Sequence, residues 1–152
     1  MKKERMNNKG FSLVELIIVI AIMAVLVVVL APQFLKYVER ARVSTDKDNA
    51  AAIATAFQVW AAAEGNPATA ASINVTDKGI NDGAAYTSGD WAGDALTDAG
   101  LAAGDAKIQS KRASWGGTTK KYTVTISDKG RVTFTPADIG NPDYNPDTAT
   151  GG

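Results

Sequence analysis

The chain has no cysteine and no histidine among its 152 residues. Without cysteine there is no disulfide framework, no thiol nucleophile and no thiolate metal site. Without histidine the commonest general base near neutral pH is missing, and so is the commonest metal ligand. The carboxylates are scattered, with no pairing that suggests acid–base chemistry, and there is no phosphate-binding or dinucleotide fingerprint. Catalysis is therefore not expected of this chain, and neither is a cofactor.

Charge is missing from one place in particular. From Leu16 to Leu35 no side chain is charged and only Gln33 is polar. Twenty residues at about 1.5 Å each make a helix roughly 30 Å long, the thickness of a bilayer's hydrocarbon core. The net charge of zero hides an asymmetry around this run. Residues 1–10 carry Lys2, Lys3, Arg5 and Lys9 against Glu4, a net +3, so residues 11–152 are net −3. A basic leader before an apolar run keeps the N-terminus cytoplasmic and sends the following domain across the membrane.

An ordinary secretory signal is punctuated after its apolar stretch, near small residues. Here the punctuation comes before it. Lys9-Gly10-Phe11-Ser12-Leu13-Val14-Glu15 runs straight into Leu16-Ile17-Ile18-Val19-Ile20. This junction resembles the prepilin peptidase site of type IV pilins and type II secretion pseudopilins, and with the apolar run the resemblance covers about the first third of the chain. It implies cleavage between Gly10 and Phe11, N-methylation of the new Phe11 amine, and retention of the apolar helix in the mature protein. Leu16, Ile17, Ile18, Val19, Ile20, Leu26 and Leu30 then line the membrane segment and, later, a filament core.

Glu15 stands at the head of that segment. A carboxylate carried to the bilayer centre costs on the order of 2.5 kcal/mol or more, whereas near a helix N-terminus the macrodipole favours it. The resemblance implies a further role, in which Glu15 pairs with the Phe11 amine of a neighbouring subunit and sets axial register. Pro32 lies inside the helical pattern, where it removes one backbone hydrogen bond and loosens or bends the helix. Ala52 occupies the place where many family members carry a second proline, so a second bend is not expected.

Beyond Lys36 no turn residue interrupts the chain before Glu64. Ala50, Ile53, Phe57 and Trp60 form one apolar stripe at helical spacing, read here as a core face. Gly65 and Asn66-Pro67 read as the helix stop. One helix from Phe11 to about Glu64 is the simplest account. Residues 66–106 read as a loop region, with a short helix within 94–103, which the resemblance makes the variable, surface-reaching part. In the C-terminal third, Tyr122/Val124/Ile126 and Val132/Phe134 alternate with threonines around Asp128-Lys129-Gly130, a hairpin. Lys107–Ser114 is the expected third strand, and Asn141–Gly152 a turn-rich tail.

The chain so divides into a leader (1–10), a membrane or filament-core half-helix (11–35), an amphipathic half-helix (36–65), a variable region (66–106), and a sheet with its tail (107–152). The fold class is α+β, a long helix on a small antiparallel sheet. The resemblance implies a major pilin of a type IV pilus, a homopolymer served by a prepilin peptidase/methylase, an assembly platform and an ATPase. Its location is membrane-anchored first and extracellular afterwards. Alternatives are a type II secretion pseudopilin, a competence pilin for DNA uptake, or a signal-anchored domain that never polymerises.

Three smaller features have ordinary readings. Asp138, Asn141, Asp143 and Asp147 crowd the tail and could bind calcium through oxygen ligands, yet they lack the spacing of an EF-hand, and short Asp/Asn/Pro runs are usually loops. Lys107, Lys111, Arg112, Lys120 and Lys121 surround Trp115 and Tyr122, a composition that can bind single strands by charge and stacking. The acidic balance of the mature chain speaks against it, and nucleic acid is not an expected partner. Asn74-Val75-Thr76 fits a glycosylation sequon, a pattern too short to carry weight.

Overall fold

The computed structural model describes residues 10–87, 89–111, 113, 115–116 and 120–146. Its first element, α1, runs from Leu13 to Glu64 and has Pro32 inside it. The helix ends where Gly65 turns to φ +90, a left-handed conformation that costs glycine nothing, and the Gly65 amide closes the last turn on Ala61 O at 3.1 Å. The chain divides into two compact units, one through Tyr37 and one from Val38 onward.

In the first unit every described side chain from Phe11 to Tyr37 is exposed. Mean hydropathy reaches 3.4 over the best window of α1, which makes it the one described helix long and apolar enough to cross a membrane. No described residue of the unit covers this surface.

The second unit has a four-stranded antiparallel sheet. Its strands are β1 (Ala71–Thr76), β2 (Gly79–Ile80), β3 (Lys121–Ile126) and β4 (Val132–Thr135), in the order β2-β1-β3-β4. A second helix, α2, spans Trp91–Asp98. The β3–β4 hairpin forms where expected. Ile126 faces Val132, Gly130 sits at φ +75, and Ser127 N donates to Arg131 O at 2.9 Å. The period-2 pattern of β3 puts Tyr122, Val124 and Ile126 inside. They share a core with Ile53, Phe57, Val75, Ile80, Leu96 and Trp115. Phe57 meets Trp91 edge-on at 5.6 Å between ring centroids, and the indole Nε1 of Trp91 donates to Gly65 O.

Two expectations are corrected. Lys107–Lys111 is not a strand; the third strand is β1, from the region read as loop. Thr76 pairs with Lys121 and Ala71 with Ile126 along its full length. The reason is where the amides go. Those of Gln109, Ser110 and Lys111 bond to side chains of α1 rather than to a neighbouring strand. The short helix, expected within 94–103, is shifted to Trp91–Asp98.

Candidate functional site

The N-terminal junction is built on a helix start. Ser12 immediately precedes α1, and its amide donates to Glu15 Oε2 at 2.9 Å. Leu16 N closes the first turn on Ser12 O at 3.2 Å. Serine followed three residues later by glutamate is the capping-box pattern, whose glutamate satisfies an amide that has no helical partner. Glu15 therefore caps its own helix, and Phe11, at 86% exposure, lies just before that cap. Gly10 is non-helical and exposed. Leu16, Ile17, Ile18, Val19, Ile20, Leu26 and Leu30 are all exposed along the same helix.

A second site lies in the unit that begins at Val38. Glu39 and Asp46 are buried on α1, at 3% and 0% exposure. With Val43, Ala50, Ile53 and Phe57 they occupy one face at alternating steps of four and three residues. Asp46 accepts from Gln109 N (2.7 Å), Ser110 N (3.0 Å) and Trp115 Nε1 (2.9 Å). Glu39 accepts from Ser110 Oγ (2.6 Å) and Lys111 N (2.7 Å), and Arg42 lies 3.5 Å from its other oxygen. Ser110 Oγ in turn accepts from Ala113 N. Burial raises the Asp46 carboxyl above its ordinary value, and the Glu39 carboxylate adds to the effect. The three donors oppose it. The Tyr122 hydroxyl is also pushed up, by burial and by Asp46, and it has no hydrogen-bond partner among the described residues. This arrangement can hold a segment of backbone, since the contacts to Asp46 and Glu39 at 3.0 Å or less are all N–H or O–H groups aimed at a carboxylate.

The tail is fastened beside it. Lys47 Nζ donates to Pro142 O at 3.2 Å and Tyr144 O at 3.5 Å, and lies 5.7 Å from the Tyr144 ring centre. The Tyr144 ring rests on Trp115 with centroids 4.9 Å apart.

The other expected sites fare differently. Asp138 lies in a short 3-10 turn, Ala137–Gly140, and Asp143 N donates to Asn141 Oδ1. Among the described residues no three carboxylates gather into a metal-binding group, and Asp147 lies outside them. Trp115 and Tyr122 are wholly buried, so neither ring can stack on a base. Lys120 pairs with Asp77 at 3.5 Å, while Arg112 lies outside the described residues. The sequon's Asn74 accepts from Thr123 across the sheet at 2.7 Å.

Comparison with known proteins gives this geometry its context. The family model for the prokaryotic N-terminal methylation motif matches residues 5–31, which include Gly10, Phe11 and Glu15. The type IV major fimbrial protein FimA of Dichelobacter nodosus is 30% identical over 130 residues, covering 84% of this chain and 70% of that protein. The chain belongs to the type IV pilin family. Another relative of this pilin, the type IV narrow pilus major component PilA5 of Thermus thermophilus, is 28% identical over 123 residues, 80% of this chain and all of its own length. Prepilin peptidase-dependent protein A of Clostridium perfringens is 33% identical over 78 residues, 51% of this chain; the match spans 56% of that relative's length. No solved structure matches the chain.

Sequence reasoning missed the Glu39/Asp46 clamp. The available signal was their place in the same four-three rhythm as Ala50, Ile53 and Phe57, which puts both carboxylates on the core face.

Proposed function

We propose that this chain is the major structural subunit of a type IV pilus, processed between Gly10 and Phe11 and polymerised through the apolar half of α1. The observation that carries the proposal is the fully exposed apolar surface from Phe11 to Tyr37, headed by the single carboxylate of Glu15. An isolated membrane anchor needs an apolar run but no acid at its head. A filament core gives that acid a task. The methylated amine of Phe11 in one copy pairs with Glu15 of a neighbour, because an unpaired charge among apolar helices is strongly penalised. Register is thereby selected, and Pro32 lets the helix adapt near the end of the apolar run.

Before assembly the subunit waits in the membrane with its second unit exported, and afterwards it lies in a surface filament. Its partners are copies of itself, the prepilin peptidase/methylase, and an assembly platform with its ATPase. No bond-making step by this chain is required. Intact mass and N-terminal sequencing of sheared, pelletable surface material test the proposal. N-methyl-phenylalanine at Phe11 in filaments is the expected result. An uncleaved Met1 start, or cleavage after the apolar run near Ala31, overturns it.

A further inference from the structure

The charge of the exported unit is sorted along the sequence. From Asp48 to Ala106 there are eight carboxylates and one basic residue, Lys78, a net −7. From Lys107 to Arg131 there are seven basic residues and one carboxylate, Asp128, a net +6. The fold keeps parts of these segments at different levels of α1. The amides of Gln109, Ser110 and Lys111 bond to Asp46 and Glu39, which fixes this stretch beside the start of the unit. Asp98 instead shares a groove with Ala52–Ala63, and the indole of Trp91 reaches Gly65 O at the far end of α1. Val43 and Val59 mark the two levels, about 24 Å apart at the helical rise of about 1.5 Å per residue. Asp77 and Lys120 form an ion pair between the two segments.

The acidic level also carries the unit's uncovered apolar surface. Among the described residues from Val38 onward, Val59 is the one large apolar side chain left exposed, at 63%. It lies in a groove of about 440 Å³ between α1 and α2, lined by Trp60, Ala56, Ala99 and Leu101 with Asp98 at its margin. Glu64, Asp90, Asp94 and Asp98 have no ion pair among the described residues. At the basic level the same holds for Lys107 and Lys111, both exposed.

We infer that this groove receives the Lys107–Lys111 segment of a second copy. The inference rests on the filament reading and specifies one of its contacts. A lysine suits such a groove because its methylene stem covers apolar surface while the ammonium stays at the wet, acidic margin. The contact is heterologous, with a groove on one copy and a basic segment on the next, so it propagates along a filament instead of closing a dimer. Charge complementarity also rejects the wrong pairing of two acidic or two basic levels.

Because the chain contains no cysteine, an engineered pair reports without background. In filaments sheared from cells, Ala99→Cys combined with Lys111→Cys is expected to give a disulfide ladder extending beyond dimers on non-reducing gels, with each single variant remaining monomeric. Separately, Asp98→Lys and Lys111→Glu are each expected to lower filament yield several-fold at physiological salt, and the combined swap to restore it. Filaments formed at full yield with no ladder and no response to charge reversal overturn the groove contact and leave the filament reading standing. An unaltered chain that never forms filaments overturns both.

Discussion

The indole Nε1 of Trp115 donates to Asp46 Oδ2 at 2.9 Å, and neither side chain has any solvent exposure. One carboxylate on α1 thus holds the largest buried side chain of the second unit together with two backbone amides. Removing it strands three donors. Asp46→Ala is expected to cost about 3–5 kcal/mol, the range for breaking a buried charged network from one side. Urea unfolding of the full chain in detergent measures it, and a loss below about 1 kcal/mol would contradict the clamp.

The same carboxyl makes stability depend on pH. Its folded value is raised above 3.8, so in the window from 3.8 up to that value the folded state binds more protons than the unfolded state. Its contribution is therefore greatest below pH 3.8, falls as pH rises through the window, and is constant above it. Urea midpoints of the wild type and of Asp46→Asn, compared from about pH 3 to about pH 8, isolate this group. The wild type is expected to lose ground to the variant as pH rises through the window; a difference independent of pH rejects the assignment.

Lys47 fastens the tail through two carbonyls and the Tyr144 ring. Lys47→Met keeps the stem and removes the cation, so the expected loss is about 1 kcal/mol. The sharper readout is amide exchange at Asp143 and Tyr144, which should quicken while exchange in β3 holds. Unchanged exchange in the tail would show that Lys47 does not secure it.

Glu15 accepts from Ser12 N within its own chain. Glu15→Ala removes that cap and, on the filament reading, also the partner of the Phe11 amine. Processing at Gly10–Phe11 is expected to continue while pelletable filaments fall by at least about tenfold, equal to about 1.4 kcal/mol per copy. Full filament yield from the variant would exclude a register role.

Phe57 is wholly buried against Trp91. Phe57→Ala is expected to cost about 3–5 kcal/mol by loss of burial and creation of a cavity, read as a shift of the thermal midpoint. A shift within error would remove Phe57 from the core.

Legibility in the sequence depends on how each element is stabilised. The apolar run, the Ala50/Ile53/Phe57 stripe and the β3–β4 hairpin each draw on local pattern, and each is readable. Strand β1 is not. Only Ile73 and Val75 alternate in it, and its flanks are rich in glycine, asparagine and aspartate. What makes it a strand is full pairing with β3, nearly fifty residues away. Lys107–Lys111 shows the converse, a plausible strand in which the Ile108 amide reaches Thr76 O but those of Gln109, Ser110 and Lys111 are claimed by two acids on a distant helix. Glu39 and Asp46 are hidden because a charged residue on a helix is read as solvent-facing until its donors are known. At the N-terminal junction, Gly10, Phe11 and Glu15 stand out through their resemblance to the N-terminal methylation motif, while the structure shows the Ser12 amide bonded to Glu15 within one chain.

The tail's fastening carries a consequence for how the second unit folds. The described stretch from Asn141 to Pro146 is held by the Lys47 cation on two of its carbonyls and by the tilted contact of the Tyr144 and Trp115 rings. Such a closure forms without an oxidant and owes nothing to the redox poise of the compartment where the subunit folds. Each copy can settle its tail as soon as the second unit folds, without an enzyme to make or shuffle a covalent bond.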